Sequence, residues 1–246
     1  GSEMCIRDSL LPLLRTRFHI YAVTSQAARC GVLRAAGATP VVANLDQRET
    51  LYRLKGLADT IVHLAPPPSD GKQDRRTRNL AAILPRHGKV VYISTTGVYG
   101  DCRGARFDET RAVSPVNARA LRRVDAEEVL RRWSLRMQGQ LAILRVPGIY
   151  AADRLPVDRL RQRTPALSPD DDVYTNHIHA DDLARIIALA IFRAAPQRVY
   201  HTVDDSELRM GEYFDLVADH FDLPRPPRLP RAQLATQVSP MLLSFM

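Results

Sequence analysis

The stretch KVVYISTTGVYGD, residues 89–101, is the part of the sequence that decides the fold. Its apolar run ends in three successive hydroxyl side chains, residues 94–96, before the chain reaches Gly97 and Tyr99. Short apolar runs without polar alternation are typical of strands in a parallel sheet that helices cover on both faces. Hydroxyls directly after such a strand either satisfy local backbone groups or line a ligand site, because ligands bind beyond the carboxyl ends of parallel strands.

Strand and helix patterns alternate on both sides of this stretch. Ser25 is a candidate N-cap and Gly37 a candidate stop for the first of these helices. The sequence therefore predicts an α/β fold with a doubly wound parallel sheet. The predicted strands are 18–24, 39–45, 59–65, 89–95, 141–150 and 198–205, and the predicted helices include 25–37, 47–57, 76–88, 118–133 and 210–221.

The alternation loosens after residue 150, so we expect a main domain over 1–150 and a smaller lobe over 151–246, interwoven with the sheet. The opening GSEMCIRDS offers only residues 4–6 as a stub of a strand, and we interpret 1–9 as foreign or disordered sequence. We also expect the chain to be truncated at its C-terminus.

Composition excludes several classes of protein. The formal charge is +8, but the arginines are scattered among acidic residues, so we expect a solvated basic surface and no nucleic-acid partner. No apolar run is long enough to span a membrane, and the beginning is a poor signal peptide. Three widely spaced cysteines fit free thiols in a reducing cytoplasm better than a disulfide framework or a zinc site.

Six motifs occur in a fixed order along the chain: YISTTGVYGD (92–101), DET (108–110), AEEVL (126–130), ILRVPGIY (143–150), NHIHADDLARI (176–186) and VYHTVDD (199–205). Together they resemble the extended, atypical short-chain dehydrogenase/reductase superfamily, in its NAD-dependent epimerase/dehydratase branch. The resemblance implies a Rossmann-like sheet that binds NAD or NADP, a choice that the sequence leaves unresolved, and a C-terminal substrate lobe. Helices such as 118–133 often form dimer bundles in this superfamily, so a homodimer is one expected assembly.

The resemblance also implies roles for individual residues. Thr95 matches the catalytic Ser/Thr whose hydroxyl polarises the substrate's oxygen. The residues that match cofactor-binding positions are Thr24, Asn44, Leu45, Leu64, Ala65, Pro66, Pro147 and Ile149. The residues that we assign to the substrate are Tyr150, Asn176 and His177.

The sequence departs from the family at the catalytic acid. The family has a Tyr with a Lys four residues later, and these positions hold Arg119 and Arg123. Arginine does not release a proton near neutral pH, although it can hold an anion or stabilise negative charge on oxygen. Two arginines on a solvated helix face are an equally good interpretation. We therefore expect the proton donor elsewhere, with Tyr99 the first candidate, ahead of Asp101 and His177.

A second departure is that no G-x-G-x-x-G motif occurs, so the loop that grips the cofactor's pyrophosphate is missing. We expect weak or absent cofactor binding by the chain as given. A third is Thr175, where sugar-nucleotide epimerases commonly have an arginine for the substrate's diphosphate. A metal site at His177 and His179 lacks a fixed third ligand, so we expect no metal.

Two main functions remain open from the sequence. The first is an NAD(P)-dependent oxidoreductase or epimerase-like enzyme with a non-standard active site, acting on a small carbonyl, alcohol or sugar-like substrate. The second is a non-catalytic dinucleotide sensor or scaffold that has lost the Tyr-Lys acid. A third option, nucleic-acid binding, depends only on the arginine excess.

Overall fold

A computed structural model describes residues 2–238 of the chain. The helices are α1 (Ser2–Leu14), α2 (Cys30–Ala35), α3 (Arg75–Ala81), α4 (Ala118–Met137), α5 (Val157–Arg161), α6 (Ala180–Arg193), α7 (Met210–His220) and α8 (Arg231–Leu234). The strands are β1 (Tyr21–Thr24), β2 (Thr39–Val42), β3 (Thr60–His63), β4 (Lys89–Thr95), β5 (Gln140–Val146), β6 (Gly148–Tyr150), β7 (Ala166–Leu167), β8 (His177–His179), β9 (Arg198–His201) and β10 (Arg228–Leu229). Turns of 3-10 helix span Ala27–Arg29, Arg48–Leu54 and Thr96–Tyr99.

The first compact unit comprises residues up to 147 together with 180–202. Its main sheet has four parallel strands in the order β3-β4-β5-β9, and β1 pairs with β2 in a second parallel sheet. Helices α4 and α6 both pack against β4. The two faces of β4 are therefore both buried, as the full burial of the successive residues Val90, Val91 and Tyr92 requires.

The core of this unit lies between α4 and the main sheet, where the apolar residues Val90, Leu130 and Ile143 pack together. Trp133 of α4 is also fully buried in this cluster. Gly139 makes that position available to the indole, because a Cβ at residue 139 would lie within 3.0 Å of the ring. The tight passage from α4 into β5 thus depends on the pairing of a large and a minimal side chain.

The second unit comprises residues 148–179 and 203 onward. It contains two parallel pairs of strands, β6 with β8 and β7 with β10. Its own apolar cluster includes Leu160, Leu167, Phe214 and Leu234. The assignment of cofactor binding to 1–150 and of the substrate to 151–246 stays a prediction.

Several local predictions are wrong in detail. Residues 4–6 lie within helix α1 rather than in a strand. Ser25 is not an N-cap, because the first helical turn begins at Ala27 after an extended Gln26 without a side-chain cap. The predicted helix over 47–57 is instead a 3-10 turn over Arg48–Leu54. Gly37 does lie directly after α2, at a φ of +87°, where glycine is favoured.

Within residues 2–238, no helix is both long enough and apolar enough to cross a membrane.

Candidate active site

Most of the predicted site residues in the first unit follow the carboxyl ends of its parallel strands. Thr24 ends β1, Asn44 follows β2, Leu64 follows β3, Thr95 ends β4 and Pro147 follows β5. This is the edge at which parallel α/β sheets bind ligands, because the helices and turns that follow the strands leave backbone and side-chain groups free there.

Thr95 is half-buried, and its hydroxyl oxygen accepts a hydrogen bond of 3.2 Å from the Gly97 backbone N–H. This bond caps the 3-10 turn that follows β4 and fixes the direction of the hydroxyl. No acceptor for the Thr95 hydroxyl proton is found among the residues that the structure describes. Thr95 is therefore held in place as an acceptor while its proton remains available to donate.

Tyr99 is buried and lies at the centre of a hydrogen-bond chain. Arg145 Nη1 lies 2.6 Å from the phenol oxygen, and His201 Nε2 lies 2.6 Å from it on the other side. Since arginine can only donate, the phenol O–H donates to His201. Glu109 Oε1 accepts from the His201 backbone N–H at 2.8 Å, which anchors the end of β9.

The protonation states in this chain follow from burial. Burial raises the pKa of Tyr99 above its ordinary value, against the opposing effect of the Arg145 hydrogen bond. Burial also lowers the pKa of His201, although Glu109 opposes this. At neutral pH the phenol is therefore protonated and the imidazole is neutral, which is the arrangement in which Tyr99 can donate.

A buried ion pair between Arg145 and Glu127 holds the Arg145 guanidinium against Tyr99. Arg145 donates from Nε to Glu127 Oε1 at 3.1 Å and from Nη2 to Glu127 Oε2 at 2.7 Å. The two side chains are only 5% and 4% exposed. Ser94 donates to Glu127 Oε1 at 2.6 Å. Ser94 thus belongs to the interior network, whereas the neighbouring Thr95 points its hydroxyl elsewhere.

The two arginines at the family's acid positions lie in different environments. Arg119 is exposed near the start of α4. Arg123 is buried, and its Nη1 donates to the Tyr92 hydroxyl at 3.1 Å and to the Ile93 carbonyl at 2.9 Å. Arg123 therefore uses its guanidinium to tie α4 to β4. Whether either arginine contacts a ligand stays a prediction.

His63, the last residue of β3, is buried and hydrogen-bonded to α3. His63 Nε2 lies 2.8 Å from the Thr77 hydroxyl, which donates to Asp74 Oδ2 at 2.8 Å, so His63 is the donor to Thr77. Burial, reinforced by the charge of Arg123, lowers the pKa of His63 to about 3. The folded protein therefore holds this imidazole neutral well below neutral pH.

We predict an acid-dependent loss of stability that depends on His63. In the unfolded chain histidine gains a proton near about pH 6.5, so stability is full above that pH and falls as the pH drops toward 3, by up to about 1.4 kcal/mol per unit. Urea unfolding followed by circular dichroism between pH 7 and 5 should show a shallower slope for His63→Phe than for the wild type. The exposed His220→Gln variant should retain the wild-type slope, and an unchanged slope in His63→Phe would contradict the prediction.

Asn44, Leu45 and Pro66, which the resemblance assigns to the cofactor, lie in two segments that α3 ties together. Asn44 Oδ1 accepts from the Asp46 N–H at 3.0 Å, and the Leu45 carbonyl accepts from Asn79 Nδ2 at 2.8 Å. Arg76 joins Asp46, at 2.7 Å, to the carbonyl of Pro66, at 3.1 Å. The segment after β2 and the segment after β3 are thus fixed relative to each other.

The remaining positions of this set are half-buried and mostly apolar. Leu64, Ala65, Pro66 and Pro147 present surfaces without charge at the strand ends. Thr24 is 9% exposed, and its hydroxyl accepts from the Gln26 N–H at 3.2 Å. This lining suits the flat faces of a base and a ribose better than it suits a multiply charged group.

In the second unit, the predicted substrate residues lie on the β6–β8 pair. Ile149 pairs with Ile178, and Tyr150 pairs with His179. The His177 ring lies 4.2 Å from that of Tyr213, and burial lowers the pKa of His177. Asn176 is exposed. Their roles toward a substrate stay a prediction.

Burial, together with the neighbouring Tyr150, raises the pKa of Tyr213 to about 12, so this phenol keeps its proton near neutral pH. Among the residues that the structure describes, no three His, Cys, Asp or Glu side chains are grouped so that they could hold a metal ion.

Sequence reasoning missed the ion pair and its neighbours. The signal was present, because Arg145 is a lone charge within the apolar run LAILRV of residues 141–146. A charge in the middle of a buried strand needs a buried partner, and Glu127 lies four residues after Arg123 on the facing helix. His201 and Glu109 carried no comparable signal, since each lies in a segment of mixed polarity.

Comparison with known proteins agrees with this fold. The chain is similar to a conserved protein of unknown function from Silicibacter pomeroyi, with 26% identity over 98% of this chain and 83% of that one, at a TM-score of 0.74. It also resembles a dTDP-glucose 4,6-dehydratase from Streptomyces venezuelae solved with NAD, with 20% identity over 90% and 78% of the two chains and a TM-score of 0.73. A UDP-N-acetylglucosamine 4-epimerase from Bacillus cereus has 15% identity over 88% and 78%, at a TM-score of 0.71. No curated protein matches the sequence at a significant level.

The fold is that of a Rossmann-like α/β protein, and the family match assigns the chain to the epimerase/dehydratase branch of the extended short-chain dehydrogenase/reductase superfamily. Residues 72–241, which are more than half of the chain, match the RmlD substrate binding domain family, and the chain belongs to that family. The predicted fold class and the predicted superfamily are both confirmed.

The residues present fit part of a dinucleotide. The side-chain nitrogen of Asn44 has no hydrogen-bond partner among residues 2–238, so it is free to donate to a base nitrogen. The apolar strand ends suit the base and ribose faces. The sequence contains no glycine-rich loop for the pyrophosphate, so the fit covers the adenosine end and leaves the phosphates without their usual backbone donors.

Proposed function

We propose that this protein is an NAD(P)-dependent oxidoreductase or epimerase-like enzyme that acts on a small carbonyl, alcohol or sugar-like substrate. The observation that carries the proposal is Thr95, whose hydroxyl is oriented by Gly97 at the end of β4 and keeps its proton for a ligand. The site's position at the carboxyl ends of parallel strands supports the same conclusion. NAD or NADP, when bound, would supply or accept the hydride.

In this mechanism the chain's own residues orient the substrate and manage a proton. The Thr95 O–H donates to the substrate oxygen and so favours the charge that develops on it. Tyr99 is protonated at neutral pH, as a general acid must be, and Arg145 is placed to stabilise the phenolate that remains after proton loss. His201 Nε2 accepts the phenol proton in the resting protein and carries no proton itself, so His201 returns a proton to the phenolate only after it has taken one up from solvent.

Thr95→Val should lower turnover by about a hundredfold or more, because it removes the only group proposed to polarise the substrate oxygen. Thr95→Ser should restore most of the activity. Thr96→Val is the matched control, since it removes the adjacent half-buried hydroxyl, and it should leave turnover nearly unchanged.

Tyr99→Phe should abolish turnover, and retained activity would exclude Tyr99 as the acid. Nicotinamide oxidation across a panel of carbonyl compounds is the measurement.

A second candidate is a non-catalytic dinucleotide sensor or scaffold. It is favoured by the position of Arg123, whose guanidinium is bound to Tyr92 and Ile93 in the interior at the place of the family's catalytic lysine. Calorimetric titration with NADH and NADPH, followed by the carbonyl screen, separates the two functions. Binding without turnover across the panel would support the sensor.

Residues 1–246 contain no glycine-rich loop to hold the phosphates, so we expect weak dinucleotide binding, and the turnover assays therefore use NADH and NADPH at millimolar concentration. Micromolar affinity would contradict this expectation. Adding a strand and a glycine loop ahead of α1 should raise the affinity for NADH or NADPH, which tests the strand-end site independently of catalysis.

A further inference from the structure

A cavity of about 300 Å³ lies in the first unit, next to the Arg145–Glu127 ion pair that holds Tyr99. It is open to solvent on one side and is lined by α4, by β5 and β9 of the main sheet and by the segment 109–113. Thr95 does not line it, nor does any residue assigned to the cofactor. The volume is at the lower end of the range for small-molecule sites. We call it the α4 cavity.

The helix contributes one continuous face to this cavity. Val124, Glu127, Glu128 and Arg131 are spaced at i, i+3, i+4 and i+7, so they lie on the same side of α4. Val113 and Val199 line the cavity from the covering segment and from β9. The cavity therefore has apolar walls, and acidic and basic side chains from more than one element.

The arginines that line the α4 cavity differ in whether an acidic side chain neutralises them. At its inner end Arg145 and Glu127 neutralise each other. Arg111 stacks over the Phe107 ring at 4.5 Å, and no carboxylate partner for Arg111 or Arg131 is found in the part of the chain that the structure describes. These two guanidinium groups are available to an anionic group of a ligand.

Two carboxylates lie among the same lining residues. One carboxylate oxygen of Glu109 accepts a hydrogen bond from the His201 N–H. This bond keeps the pKa of Glu109 below its ordinary value, although burial opposes the effect, so Glu109 is anionic at neutral pH. Glu128 is 59% exposed and only 4.0 Å from Arg132, which leaves it largely solvated. A simple anion would be attracted by the two arginines and repelled by these two glutamates, whereas a ligand with both charges would satisfy both sets.

We propose that the α4 cavity binds a small zwitterion with an apolar body, of the chemical class of the aliphatic α-amino acids. The carboxylate contacts Arg111 and Arg131, the ammonium contacts Glu109 or Glu128, and the aliphatic side chain packs against Val113, Val124 and Val199. The proposal does not rest on the proposed function, since no cofactor position takes part, although Arg145 lines the cavity and also bonds to Tyr99.

Calorimetric titration of the full chain with three compounds of similar shape tests the proposal. L-leucine carries both charges, 4-methylpentanoate lacks the ammonium, and 3-methylbutylamine lacks the carboxylate. We expect L-leucine to bind, and each compound with one charge to bind about tenfold more weakly or worse. Equal binding of 4-methylpentanoate, or no binding of L-leucine at millimolar concentration, would overturn the proposal.

Variants on α4 localise the binding. Arg131→Gln should weaken L-leucine binding by about tenfold or more, because it removes one guanidinium donor from the cavity. Arg136→Gln is the matched control, since this exposed arginine lies on the same helix outside the cavity, and it should bind L-leucine as the wild type does. An identical loss in both variants, or in neither, would refute the α4 cavity as the binding site.

Discussion

Replacing Arg145 with methionine is expected to lower the free energy of unfolding by about 3–5 kcal/mol, because it leaves the Glu127 carboxylate buried without its partner. The side chains of this pair are 5% and 4% exposed, so water cannot compensate for the lost charge. Tyr99 would lose the hydrogen bond that Arg145 donates to it, whereas Ser94 would still donate to Glu127. Urea unfolding followed by circular dichroism measures the effect.

The double variant Arg145→Met/Glu127→Leu separates two costs: the loss of the ion pair, and the burial of an unpaired Glu127 carboxylate. Replacement of a buried pair by apolar residues is often close to neutral, so the double variant should be more stable than Arg145→Met alone. Arg185→Met is the control, because its ion pair with Asp182 is on the surface and should contribute nothing measurable. If Arg145→Met unfolds like the wild type, the network is not a stabilising element.

Substitution of Gly100 by alanine is expected to destabilise the protein by about 2–4 kcal/mol. Gly100 has φ +68° and ψ −148°, a conformation that is essentially restricted to glycine. An added Cβ would also lie within 3.0 Å of the Ser114 carbonyl oxygen, which belongs to the backbone and cannot rotate away. The substitution acts directly after Tyr99, so it should disturb the candidate active site as well.

Gly97→Ala provides a matched control three residues earlier. A Cβ there would meet Thr95 Oγ1 at 3.5 Å, which is an ordinary contact, and Gly97 has no positive φ. We expect its unfolding midpoint to remain close to that of the wild type. Equal stability of the Gly100→Ala and Gly97→Ala variants would show that the backbone at residue 100 can relax.

The sequence predicted the strands of the main sheet because their runs are mostly apolar and each is followed by turn residues. β4 and β5 are the best examples, since both are buried on two faces and tolerate few polar residues. The 3-10 turn over Arg48–Leu54 was not predictable in this way, because the pattern of apolar residues there also fits an α-helix. Ser25 failed as a cap because the chain stays extended for one more residue.

The candidate site was predictable in position more than in chemistry. The strand-end rule located Thr95, and the structure gives its hydroxyl a fixed acceptor role that no sequence pattern specifies. The chain from Glu127 through Arg145 and Tyr99 to His201 joins residues far apart in sequence. Such contacts depend on how α4, β5 and β9 pack against each other. Patterns along a single sequence predict the elements but not this packing.

The burial of Trp133 has a practical consequence for spectroscopy. The protein has one tryptophan, so its tryptophan fluorescence reports on the contact between α4 and Gly139. Native emission should lie toward short wavelengths, because the ring is fully shielded from water and its Nε1 has no hydrogen-bond partner in the described part of the chain. A red shift would mark loss of the core of the first unit specifically.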